Sequence, residues 1–210
     1  KPDISGNIVV WEDFRDGNAD VYMMDISQEP LVPVQITYDA SNEMDPDVDG
    51  NIIVYGSNRS SIGDVYLYRI DDGMTVPITE TEDYERNPAV SGDYVSFESY
   101  AAGDSDIWLH SISLGVSERA TLDPAEQYLH DISGNRVVFT DNRQVESLDI
   151  YLVEFEFISD IYASPLSYDF GDVELGSSSS QIVTITNQGD QSYSVSVGLK
   201  SGSSPDYVIS

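Results

Sequence analysis

Ile4-Ser5-Gly6-Asn7 leads into Ile8-Val9-Val10-Trp11, and the same pattern returns three more times along the chain. Val48-Asp49-Gly50-Asn51 precedes Ile52-Ile53-Val54-Tyr55, Val90-Ser91-Gly92-Asp93 precedes Phe97, and Ile132-Ser133-Gly134-Asn135 precedes Phe139. The glycines Gly6, Gly50, Gly92 and Gly134 follow one another at steps of 44, 42 and 42 residues. Later in each copy stand Asp20-Val21-Tyr22, Asp64-Val65-Tyr66, Asp106-Ile107-Trp108 and Asp149-Ile150-Tyr151. Ile36-Thr37, Ile78-Thr79 and Ala120-Thr121 close the first three copies.

Gly-Asn and Gly-Asp mark tight turns, because a hairpin needs residues that tolerate positive φ. The β-branched and aromatic runs that follow suit short buried strands. A polar loop, a third strand such as Val21-Tyr22-Met23-Met24, and a fourth such as Val34-Gln35-Ile36-Thr37 complete the unit. No segment shows a helical period. Four short strands in about 42 residues describe one propeller blade. The expected fold is therefore all-β, a propeller of four repeats that either closes with four blades, belongs to a larger propeller or is completed by another chain.

The pattern resembles the TolB-type propeller repeat over roughly residues 2 to 157, with its Ile-Ser-Gly-Asn opening, Asp-Val-Tyr third strand and closing Ile-Thr. That resemblance implies a fold and a binding style, and it implies no single reaction. Similar repeats occur in periplasmic and surface proteins and beside peptidase domains. The repeat stops near Ser159, so residues 1–158 are read as propeller and 159–163 as a linker. Residues 164–210 resemble the opening of the Hydin-like or abnormal-spindle-like immunoglobulin domains, with Phe170-Gly171-Asp172-Val173 followed by Thr184-Ile185-Thr186-Asn187. A complete sandwich needs about 100 residues. This segment is thus expected to be cut short, or to be completed by strands of another copy in a filament.

Composition narrows the partners. Thirty-eight acidic residues face 9 basic ones, a formal net charge of -29. Such a surface repels nucleic acid and anionic lipid. There is no cysteine, so disulfides and thiolate metal sites are excluded. No apolar run reaches the roughly 20 residues of a membrane helix, so no direct membrane insertion is expected. The chain opens at Lys1 and is read as a processed or excised piece.

Candidate chemistry is sparse. Asp13, Asp16, Asn18 and Asp20 flank Gly17 and suggest a calcium loop, where hard oxygen ligands converge on one cation. Only the last of them recurs in every copy, which favours a structural Asp accepting backbone N–H groups in its turn. Trp11 and Trp108 occupy positions filled elsewhere by Tyr or Phe, so they are assigned to packing rather than to glycan stacking. His110 and His130 belong to no nucleophile or zinc motif. Asn58-Arg59-Ser60 is a glycosylation sequon. No catalytic residue and no cofactor other than calcium is expected. The sequence thus points to a non-catalytic structural or protein-interaction module, extracellular or on the cell surface, with the periplasm as a further location. Its partners would be a protein, a cell-surface glycan or further copies of itself. The alternative is an accessory, substrate-gating propeller of a larger secreted peptidase or glycan-active enzyme.

Overall fold

In a computed structural model each copy of the repeat forms its own antiparallel sheet, and no helix occurs among the described residues. The structure describes residues 1–60, 62–143, 148–155, 161–164 and 184–187. The first sheet holds β1 (Asp3–Ser5), β2 (Ile8–Asp13), β3 (Asp20–Asp25) and β4 (Val34–Gln35). The second holds β5 (Glu43–Asp49), β6 (Ile52–Ser57), β7 (Asp64–Arg69) and β8 (Thr75–Pro77). The third holds β9 (Glu85–Ser91), β10 (Tyr94–Ser99), β11 (Asp106–Ser111) and β12 (Val116–Arg119). The fourth has three strands, β13 (Gln127–Ser133), β14 (Arg136–Asp141) and β15 (Asp149–Glu154). Gly6, Gly50, Gly92 and Gly134 all take φ between 55 and 58° in the first turn, which explains why glycine recurs there.

Three apolar layers lie between consecutive sheets. Val10, Val21 and Ile36 of the first sheet pack on Val48, Ile53 and Tyr55 of the second. Val54, Val65 and Leu67 pack on Val90, Val95 and Phe97. Ile107 and Leu109 pack on Ile132, Val137 and Phe139. The same positions at the two outer faces are uncovered. Ile150 is 73% exposed where Val21, Val65 and Ile107 are fully buried. Ile4 is likewise 57% exposed where Val48, Val90 and Ile132 are buried.

Side chains stitch neighbouring first strands together. Asp3 accepts the Val48 N–H at 2.9 Å, and Asp47 accepts that of Val90 at 2.8 Å. Ser5, Asp49 and Ser91 accept the N–H of Gly50, Gly92 and Gly134. Ala89 stands where the third carboxylate would be, and the Ile132 N–H turns to its own neighbour Asp131 instead.

The chain divides into two compact units, Lys1–Phe157 and Ile158–Ser210. In the second, β16 (Ile161–Ser164) pairs antiparallel with β17 (Thr184–Asn187). A strand thus begins within the stretch read as linker. The remainder of the segment read as immunoglobulin-like lies outside the described residues.

Candidate functional site

In an up-and-down sheet the starts of the first and third strands share one end with the close of the second and fourth. The polar residues that interrupt the apolar pattern gather there. Asp20, Asp64 and Asp106 open the third strands and are buried. Each accepts a hydroxyl hydrogen from the threonine of the closing Ile-Thr or Ala-Thr: Thr37 at 3.4, Thr79 at 3.4 and Thr121 at 3.3 Å. The same hydroxyls accept the N–H of Val21, Val65 and Ile107 at 2.9 to 3.0 Å. The partner common to all three is thus a threonine beyond the fourth strand, to which the Asn18 amide adds at Asp20, the Thr81 N–H at Asp64 and the Arg119 guanidinium at Asp106. These threonines lie outside the fourth strands, which end at Gln35, Pro77 and Arg119.

An arginine stacks on the third-strand tyrosine in three of the sheets. Arg15 lies over Tyr22 at 4.6 Å, Arg59 over Tyr66 at 4.1 Å and Arg143 over Tyr151 at 4.1 Å. Each guanidinium also pairs with carboxylates: Arg15 with Asp13, Arg59 with Asp39, and Arg143 with Asp123 and Asp141. Hydrogen bonds from Arg15 hold the Asp13 carboxyl well below the usual range, and those from Arg143 do the same for Asp141. These pairs went unnoticed in the sequence, although Arg15, Arg59 and Arg143 each follow the last residue of a second strand by two.

The residues considered for calcium are each engaged by the protein. Asp13 takes the Arg15 guanidinium and the Trp11 Nε1–H, and Asp16 takes the Tyr22 hydroxyl at 3.2 Å. The Asn18 amide donates to the carbonyls of Asp39 and Ser41. Among the described residues no group of three His, Asp or Glu side chains is placed to hold a metal ion. Asn58 is exposed, and its Oδ1 accepts the Asn42 N–H at 2.8 Å.

Nearer the first strands, Glu12 accepts the Asp45 N–H at 2.6 Å. Glu98, fully buried, collects the Leu129 N–H, the Asn87 amide and the Arg86 Nε–H. Both ring nitrogens of His130 are buried without partners, and burial lowers its pKa. Burial pushes the Glu43 carboxyl up to about 7 and Asp47 up to about 6.

No protein-family model matches the chain, and no curated protein matches it. Solved structures do. A putative TolB from Agrobacterium tumefaciens aligns at 22% identity and a TM-score of 0.59, covering 71% of this chain and 58% of that one. TolB from Acinetobacter baumannii aligns at 14% identity and a TM-score of 0.60, over 73% of this chain and 40% of that one. A puromycin-hydrolysing peptidase of Mycobacterium tuberculosis aligns at 12% and 0.59, over 73% and 26%. The chain therefore spans between a quarter and three-fifths of the length of these proteins. At such identities the likeness speaks to architecture, and that architecture is the β-propeller.

Proposed function

We propose that the chain is a non-catalytic extracellular or cell-surface module that binds protein partners and further copies of itself. The observation that carries this reading is the pair of uncovered outer faces. Val138, Ile150 and Leu152 present the half-layer that the first three sheets bury against a successor, at 40, 73 and 56% exposure. Ile4, partly buried Trp11 and their sheet present the complementary half-layer. The occupant that fits either face is another sheet of this repeat, from the same protein or from a second copy, and in the chain as given the faces of two copies match. A catalytic reading has less to draw on, since the buried Asp20, Asp64, Glu98 and Asp106 are all occupied in holding strands. The tail adds a second route to assembly by strand exchange, a glycan would find Asn58 exposed, and a cell-surface glycan is a further partner class.

Sedimentation of the purified chain tests this. Wild type is expected to self-associate, and Ile150→Asp with Leu152→Asp to shift it to monomer. A wild type that stays monomeric at every concentration would count against assembly through these faces. The second reading, an accessory propeller of a larger secreted enzyme, is favoured by the likeness to the puromycin-hydrolysing peptidase, of which the aligned part is 26%.

A further inference from the structure

We infer that the cleft between the second and third sheets receives a single arginine side chain from a partner protein. The repeat itself shows what belongs there. In the second sheet Arg59 lies on Tyr66, with its Nε–H on Ser57 at 3.2 Å and its Nη2 3.2 Å from Asp39 and 3.9 Å from Glu43. Counting two residues from the end of the second strand places Ala101 at the equivalent position in the third sheet. The remaining wall is kept. Trp108 replaces Tyr66, Ser99 replaces Ser57, Glu85 replaces Glu43 and Thr81 replaces Asp39.

A cleft of about 150 Å³ opens at this place, lined by Trp108, Phe97, Ser99, Glu85 and Thr81, with exposed Glu80 beside them. An apolar cavity of about that size accommodates a benzene ring, so a planar guanidinium fits. Glu85 is 3% exposed. Its Oε1 accepts from Thr81 at 2.7 Å and Ser99 at 3.2 Å, while Oε2 is buried without a donor. Oε2 of Glu43 also lacks a donor, but there the arginine is already in place. Indole is the strongest ring partner for a cation. The nearby cations are committed elsewhere, Arg119 to Asp106 and Arg86 to Glu98, and neither lines the cleft. With 38 acidic residues against 9 basic ones, the field of the protein also draws a basic partner.

The inference rests on the reading of the chain as a protein-interaction module for the source of the arginine, and small probes separate the two. N-acetyl-arginine amide is titrated into the full chain carrying Trp11→Phe, so that Trp108 is the one indole reporting. A saturable change in fluorescence is expected, with N-acetyl-citrulline amide weaker by about tenfold or more. Ala101→Arg should fill the cleft as Arg59 does, abolishing the response and raising the melting temperature. Equal responses to both probes, or undiminished binding by folded Ala101→Arg, would overturn the site. If Ala101→Arg does not fold, Glu85→Gln replaces it, and unchanged affinity there has the same consequence. Because Trp11 belongs to an outer face, self-association is read on the wild-type chain: a self-associating wild type with no probe binding sinks the cleft alone, and probe binding alongside a strictly monomeric wild type sinks assembly through the outer faces alone.

Discussion

At the scale of single residues the repeat is held by a threonine hydroxyl that serves two groups at once. Thr79 donates to the buried Asp64 and accepts the Val65 N–H. Thr79→Val keeps the shape and removes both bonds, leaving a buried carboxylate and a buried amide short of partners. Each such loss costs about 1–3 kcal/mol. Thr79→Val should therefore lower unfolding free energy by about 2–4 kcal/mol in urea titration, while Thr81→Val, at an exposed neighbour, should cost less. Both members of the pair were visible in the sequence as recurring letters. Their bond was not, since 15 residues separate them and the carboxylate's natural local partner is a turn N–H. The stacked arginines were legible only in hindsight, because Ala101 breaks their pattern in the third copy.

At the scale of elements, the first strands carry a feature that glycine counting misses. Asp45, Asn87 and Leu129 take φ of 51, 49 and 49°, each within or beside an irregular stretch of the ladder with the second strand. Aspartate and asparagine tolerate this region, whereas leucine does so at a cost of about 1–2 kcal/mol. The Leu129 N–H is held there by Glu98, and its side chain is 70% exposed, so packing offers it little in return. Leu129→Asn should stabilise the protein by about 1 kcal/mol, read as a higher denaturant midpoint with unchanged slope. A lower midpoint would mean that the leucine makes a contact worth more than the strain. The strands themselves were readable from Gly-Asn turns and β-branched runs. The fourth strands came out shorter than expected, because the threonine that ends each repeat leaves the ladder to reach its aspartate.

For the whole molecule, acidity and burial pull in the same direction. Glu43 and Asp47, raised by burial to about 7 and about 6, keep their protons in the folded state over a range where the unfolded chain has lost them. Stability contributed this way falls as pH rises from about 4 to about 7, since the folded state binds more protons throughout that window. Asp13 and Asp141, held low by their arginines, lose their contribution only in stronger acid. Burial lowers His110 and His130, which opposes this trend below about pH 6.5, so the carboxylate contribution is read against Glu43→Gln: relative to that variant, wild type is expected to gain melting temperature from about pH 8 to about pH 5 at fixed ionic strength. A pH profile identical in wild type and Glu43→Gln would contradict the assignment. The net charge was plain from composition. Which acids are buried was not, because burial depends on the register that brings Glu43 beside Ser57.

The stitching between first strands has a direction. Where a first-strand amide is held by a neighbouring sheet, the acceptor side chain belongs to the earlier sheet and the amide to the later one, from Asp3 to Val48 and from Asp47 to Val90. A chain emerging in order from a ribosome can therefore satisfy each new strand against a surface already laid down. Synthesis would assemble the blades vectorially, each serving as template for the next.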